Sequence, residues 1–98
     1  MTAVDSPAFG MDSVFVVPPD VLARDVGGET VILALESGMY FGLDPIGAEI
    51  WRLIGQGRSL ATIGDALAQD YDVARATLDG DIRALAAELV DRKLLHVA

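Results

Sequence analysis

Apolar residues before residue 44 occur in short, strand-like runs that are separated by glycine. Residues 21–26 and residues 30–35 are two such runs, and the dipeptide Gly27-Gly28 lies close between them. Glycine readily adopts the positive φ angles that a two-residue hairpin turn requires, and β-branched side chains favour strands. The pattern therefore predicts two antiparallel strands joined by a tight turn.

A third strand is predicted over Met39 to Leu43, after a turn at residues 36–38 that places Gly38 at the left-handed position. This strand comes last in its sheet. Its far edge should carry unpaired N–H and C=O groups, which another peptide can join as an added strand. We therefore expect this edge to be the functional part of the molecule.

After Leu43 the apolar period becomes helical. Asp44-Pro45 is a helix-start signal, because aspartate accepts hydrogen bonds from orphan N–H groups and proline lacks an N–H that would need a partner. Ser59 predicts the start of a second helix, and Asp72 or a close neighbour that of a third. The third helix carries an apolar stripe of Leu78, Ile82, Leu85 and Leu89. The order of elements predicts an α+β fold of the winged helix-turn-helix type, a three-stranded antiparallel sheet followed by three helices.

The first seventeen residues do not fit this pattern. Residues 1–13 show no periodicity, and the apolar run Val14 to Val17 stops at Pro18-Pro19, which cannot continue a central strand. We predict an N-terminal tail over 1–17 and one domain over 18–98. Residues 14–17 are either an irregular segment packed on the core or a short edge strand, and Leu94 to Val97 is a candidate for one more strand.

Charge changes the functional reading of a winged helix. The 98 residues include seven basic and fifteen acidic side chains, a formal net charge of −8. Affinity for nucleic acid comes largely from lysine and arginine at phosphates, and the basic residues here are scattered, so nucleic acid is not the expected partner. The longest apolar run, Val31 to Leu35, is far too short to cross a bilayer, and residues 1–12 do not resemble a signal peptide. A cytoplasmic protein without a membrane partner is predicted.

Catalytic chemistry is not expected. The chain has no cysteine, and its one histidine, His96, has no partner at a motif spacing. Nucleophilic, acid–base and metal catalysis all need side chains grouped in ways that this sequence does not offer. We predict no catalytic residue, no metal and no cofactor.

The run from Ser37 to Trp51 reads SGMYFGLDPIGAEIW and resembles the signature of the PqqD-like family, over residues 18–97 in all. The resemblance implies a RiPP recognition element, a domain that binds the leader of a ribosomally made precursor peptide and presents the precursor to modifying enzymes. The leader would add beside the third strand, against the last helix. The form of the motif here is more similar to lasso peptide B1 proteins than to the quinone cofactor branch. Implied partners are the precursor leader peptide and a leader peptidase, macrolactam synthetase or radical-SAM maturase.

The candidate peptide-binding residues lie on the third strand and on the last helix, and the sequence leaves open which margin of that helix faces the strand. Gly42 is expected to admit a second backbone close to the strand. Lys93 departs from the glycine that many family members have at the end of the last helix. The candidates are Met39, Tyr40, Phe41, Gly42, Leu43, Arg75, Leu78, Asp79, Ile82, Arg83, Leu85 and Ala86.

Two alternatives remain open at this point. The first is a winged-helix DNA-binding regulator or protein–protein adaptor that uses its recognition helix. DNA binding would weaken steeply with salt, whereas strand addition at an apolar edge would hardly respond. The second concerns oligomeric state, because a second copy could pair with the open edge and give a homodimer.

Overall fold

A computed structural model of the chain describes residues 9–98. It confirms the α+β fold, with a three-stranded antiparallel sheet followed by three helices and a small two-stranded ribbon added. The elements are β1 (Phe15–Val16), β2 (Val21–Val26), β3 (Glu29–Ala34), β4 (Tyr40–Leu43), α1 (Pro45–Gly55), α2 (Leu60–Asp70), α3 (Arg75–Asp91) and β5 (His96–Val97).

The main sheet has the order β2-β3-β4, and both of its connections are tight turns. Gly27 and Gly28 have φ angles of 59° and 87°, and Gly38 has a φ of 72°. These left-handed conformations are the reason that glycine is needed at the turns, as the sequence predicted. The register places Ile32 opposite Phe41, which fixes which β4 side chains face the core.

The starts of the first two helices are confirmed in detail. The Gly47 N–H donates to the Asp44 Oδ1 at 2.7 Å, and the Thr62 N–H donates to the Ser59 Oγ at 3.2 Å. The third helix differs: its N-cap is Ala74, which makes no side-chain hydrogen bond. The predicted start at Asp72 or a close neighbour is therefore met by the neighbour Ala74, two residues after Asp72, and not by Asp72 itself.

The hydrophobic core lies between one face of the sheet and the three helices. Ile32 and Leu43 contribute from the sheet, and Ile54, Ile63 and Ile82 contribute one residue from each helix. Trp51 of α1 is only partly buried and lies at the margin of this cluster. In the described part of the chain no polar or charged side chain is buried.

Residues 9–17 pack on the core and do not form the predicted tail. The Phe15 side chain is 4% exposed, and its ring meets the Phe9 ring edge-on at a centroid distance of 5.0 Å. The Ala61 N–H donates to the Met11 carbonyl at 2.7 Å. β1 pairs antiparallel with β5, which confirms the short strands near Val16 and Val97 and brings the two ends of the domain together.

The predicted boundary after residue 17 therefore does not match the packing. Pro18-Pro19 ends β1, as expected of proline, but it does not prevent the preceding residues from pairing with a distant segment. The remainder of the predicted tail, residues 1–8, lies outside the described residues.

Candidate functional site

Strand β4 pairs with β3 on one side, and no other strand in residues 9–98 pairs with its second side. The Ala34 N–H donates to the Met39 carbonyl at 2.9 Å, which sets the phase of the ladder between the two strands. In an antiparallel ladder, directly opposed residues alternate between hydrogen-bonded and non-hydrogen-bonded pairs. The backbone N–H and C=O groups of Phe41 and Leu43 therefore point toward β3.

The N–H and C=O groups of Tyr40 and Gly42 consequently point away from β3, toward the free edge. These two residues form an alternating row of donors and acceptors that a further strand can use. The structure thus confirms the open edge as a feature of the fold and narrows its bonding groups to two residues.

A shallow cleft of about 300 Å³ lies beside this edge, between β4, the start of α1 and the middle of α3. Its walls are mainly apolar, and two carboxylates lie among them. The lining residues are Phe41, Gly42, Leu43, Asp44, Ile46, Gly47, Ile50, Asp81 and Leu85.

One margin of α3 faces β4. Asp81 and Leu85 line the cleft, and the Arg92 guanidinium lies 5.1 Å from the centroid of the Phe41 ring. The Arg92 Nη2 donates a hydrogen bond to the carboxylate of Glu88, one turn earlier, at 3.1 Å. Spacings of three and four residues place these side chains in one row along the helix. This row settles the margin that the sequence left open.

Beyond Arg92 the cleft gives way to a second hollow of about 390 Å³ around Met39. Asp20, Glu36 and Asp91 contribute carboxylates there, together with Lys93 and Arg92. Met39 and Arg92 therefore line the second hollow, and Arg92 also contacts Phe41, a residue of the candidate cleft.

Arg75 and Asp79 lie on the opposite margin of α3, against α2. The Arg75 guanidinium donates to Asp79 at 2.8 Å, to Asp65 at 2.8 Å and to the Ala61 carbonyl at 3.1 Å. The hydrogen bonds to Asp79 and Asp65 raise the pKa of Arg75 above its ordinary value. Arg83 is exposed and follows Asp79 by one turn on the same margin. The structure does not bring these three side chains to the cleft.

The remaining candidates divide among the core, the cleft and the outer face of the sheet. Leu78, Ile82 and Ala86 are buried in the hydrophobic core and do not line the cleft. Leu85 is half-buried and lines the cleft. Tyr40 is 72% exposed and lies on the other face of the sheet, because neighbouring residues of a strand alternate in direction.

The reason proposed from the sequence for Gly42 does not match its position. A Cβ added to Gly42 would have no atom within 4 Å and would stand on the outer face of the sheet, beside Tyr40. It would not project along the edge, where an added strand would have to lie. Gly42 instead leaves an open space on the outer face.

Sequence reasoning missed the cleft residues Ile46 and Asp81, and it missed Arg92, which lies over the Phe41 ring. The signal was present in the spacing of Asp81, Leu85, Glu88 and Arg92, which repeats at four, three and four residues. The sequence offers a similar row on the other margin, and only the packing of α2 distinguishes the two.

The charges of α3 do not form the basic surface of a DNA-reading helix. Arg75 and Arg92 are both held in ion pairs, and carboxylates are interspersed with them. In residues 9–98 no three histidine or acidic side chains are grouped so that they could hold a metal ion. None of the helices described is both long and apolar enough to cross a membrane.

Comparison with known proteins agrees with this geometry. Residues 29–95 match the family described as Coenzyme PQQ synthesis protein D (PqqD). The fold is similar to TbiB1 in complex with the TbiA(beta) leader peptide, with 35% identity, a TM-score of 0.76, and coverage of 82% of this chain and 93% of that chain. A lasso peptide synthetase B1 complexed with the leader peptide is also similar, with 27% identity, a TM-score of 0.79, and coverage of 84% and 96%. No curated protein sequence matches at a significant level.

Proposed function

Since the chain belongs to the PqqD family, we propose that it is a non-catalytic protein that binds the leader of a ribosomally synthesised precursor peptide and presents the precursor to modifying enzymes. The observation that carries the proposal is the free edge of β4, with outward backbone groups at Tyr40 and Gly42, directly beside an apolar cleft. The leader adds as a fourth strand.

Backbone hydrogen bonds alone cannot make this binding selective. Each contributes a net ~0.5–1.5 kcal/mol, and ordering a flexible leader offsets much of their sum. Selectivity comes from leader side chains opposite Phe41 and Leu43, because these point to the same side of the sheet as the cleft. They pack against Leu85 and Ile46, and we expect micromolar affinity, about −8 kcal/mol.

The similarity to lasso peptide synthetase B1 proteins supports a leader peptidase and a macrolactam synthetase as the enzymes that receive the bound precursor. A homodimer through β4 would use the same outward groups as the leader. Leader binding and self-association at this edge would therefore exclude each other. Cytoplasmic location stays a prediction.

The decisive experiment removes one outward donor from the edge. Gly42→Pro deletes an N–H that points away from β3, whereas Phe41→Pro would break the sheet itself. Because the leader carbonyl is then left without its donor, which costs about 1–3 kcal/mol, calorimetric titration with a synthetic leader peptide should show about a tenfold loss for Gly42→Pro, ~1.4 kcal/mol.

The matched control is Ala23→Pro on the other edge of the sheet. The backbone N–H and C=O groups of Ile32 point toward Phe41 on β4 and therefore away from β2. Ala23 lies opposite Ile32 on β2, so the two do not share a backbone hydrogen bond and the Ala23 N–H points to solvent. Ala23→Pro should keep the parent affinity. Parent affinity in a folded Gly42→Pro variant would refute the proposal, as would cleavage or ligation of the leader by the isolated protein.

A further inference from the structure

The outer face of the main sheet carries apolar side chains around an empty position. Tyr40 is 72% exposed there, and its cross-strand neighbour Leu33 is half-buried. Val31 lies directly opposite Gly42, and the space above Gly42 is open. The result is a shallow apolar depression above Val31 and Gly42, with Tyr40 beside it on the same face of the sheet.

A leader strand bound to β4 must place some of its side chains on this face. Side chains alternate along a strand, so if the residues opposite Phe41 and Leu43 enter the cleft, the residue between them faces outward, opposite Gly42. Its Cβ would stand ~4.5–5.5 Å from the position of the missing Gly42 side chain. The geometry of the added strand therefore places one leader side chain, that of the residue opposite Gly42, over the depression.

We propose that Val31, Tyr40 and Gly42 form a second recognition subsite, on the outer face of the sheet, that takes one large aromatic side chain of the leader. This inference rests on the proposed function. An aromatic ring can lean across a glycine on the neighbouring strand and cover the residue beyond it, here Val31. Diagonal neighbours across two strands also lie within the reach of aromatic side chains, which brings the same ring against Tyr40.

With this subsite, the protein would contact a run of three adjacent leader residues. The cleft would contact two side chains on one face of the added strand, and the outer depression would contact the side chain between them, on the other face. A polar residue at that middle position would leave the apolar surfaces of Val31 and Tyr40 in water.

The test is a set of leader variants against two protein variants. Each leader residue is replaced in turn by alanine, and the peptides are titrated into the parent protein, Tyr40→Thr and Gly42→Val. Threonine keeps strand propensity but removes the aromatic ring, and valine fills the depression. Both variants should bind the parent leader about threefold to fivefold more weakly, the range of a cross-strand aromatic pair.

The loss should disappear for one alanine-substituted leader only, the one whose aromatic residue lies opposite Gly42. Leu22→Thr is the matched control, because Leu22 is exposed on the same face of the sheet but lies on β2, away from the added strand. It should leave every affinity unchanged. Coupling of both variants to the same leader residue supports the subsite.

Equal affinities in all variants, or a loss shared by all leaders, would overturn it. Gly42→Pro separates the two hypotheses. If this variant loses the leader while no leader residue couples to Tyr40, the outer subsite is wrong and the proposed function stands. If it binds normally, the proposed function is wrong and the subsite with it.

Discussion

Lys93 holds a left-handed backbone conformation, with a φ of 62°, directly after α3. The Leu94 N–H donates to the Leu89 carbonyl at 2.8 Å and the Lys93 N–H to the Val90 carbonyl at 3.0 Å, the two bonds of a Schellman cap. An L-residue in this conformation costs about 1–2 kcal/mol, part of which the greater freedom of unfolded glycine offsets. Lys93→Gly should therefore raise the free energy of unfolding by about 0.5–1 kcal/mol in urea denaturation. Asp91→Gly, in the last turn of α3, should lower it. A less stable Lys93→Gly variant would mean that the left-handed cap is not maintained in solution.

At the scale of elements, α2 and α3 each contain a glycine, and the two have different surroundings. A Cβ on Gly80 would meet no atom within 4 Å, whereas one on Gly64 would lie 2.7 Å from the Arg75 Nη2 and 2.8 Å from the Asp79 Oδ1. Alanine in a helix interior is favoured over glycine by about 0.5–1 kcal/mol. Gly80→Ala should gain that much in thermal or urea unfolding and keep the leader affinity of the parent. Gly64→Ala should gain less or lose stability, since the ion pair that joins α3 to α2 must move. Equal gains in stability for Gly64→Ala and Gly80→Ala would show that Arg75 and Asp79 can move away from Gly64 without loss of stability.

At the scale of the whole molecule, the ribbon of β1 and β5 joins the two ends of the domain. A shortened chain that begins at residue 18 loses this pairing and the buried Phe15 side chain. Loss of a buried phenylalanine side chain costs about 3–5 kcal/mol, a large part of the 5–15 kcal/mol that stabilises a typical domain. The shortened chain should therefore unfold at much lower urea concentration. Phe15→Ala in the full chain should reproduce most of the loss. Equal stability of the shortened and full chains would restore the tail that the sequence predicted.

Features that depend on neighbouring residues could be predicted from the sequence. Gly27-Gly28, Asp44-Pro45 and Ser59 each determine a turn or a helix start through bonds within a few residues, and all three were predicted correctly. The free edge of β4 followed from the order of these elements. Tyr40 was placed in the groove although strand alternation with Phe41 already put it on the opposite face.

Features that depend on distant packing could not be predicted. Arg75 and Arg92 flank the same apolar stripe of α3, and nothing local distinguishes their margins. The close approach of α2 at Gly64 places Arg75 between the two helices, whereas Arg92 lies against Phe41 of β4. The packing of residues 9–17 likewise depends on β5, which comes last in the chain.

The pairing of β1 with β5 also has a consequence for the kinetics of folding. Phe15 and Val97 are partners whose numbers differ by 82, whereas the other strand pairs are hairpins of near neighbours. Closing so long a loop costs more entropy than closing a hairpin, so the hairpins and helices can assemble before the ends meet. Interactions that form after the transition state slow unfolding and leave the folding rate nearly unchanged. The ribbon of β1 and β5 therefore stabilises the native state after the transition state, and its loss should increase the unfolding rate with little effect on the folding rate.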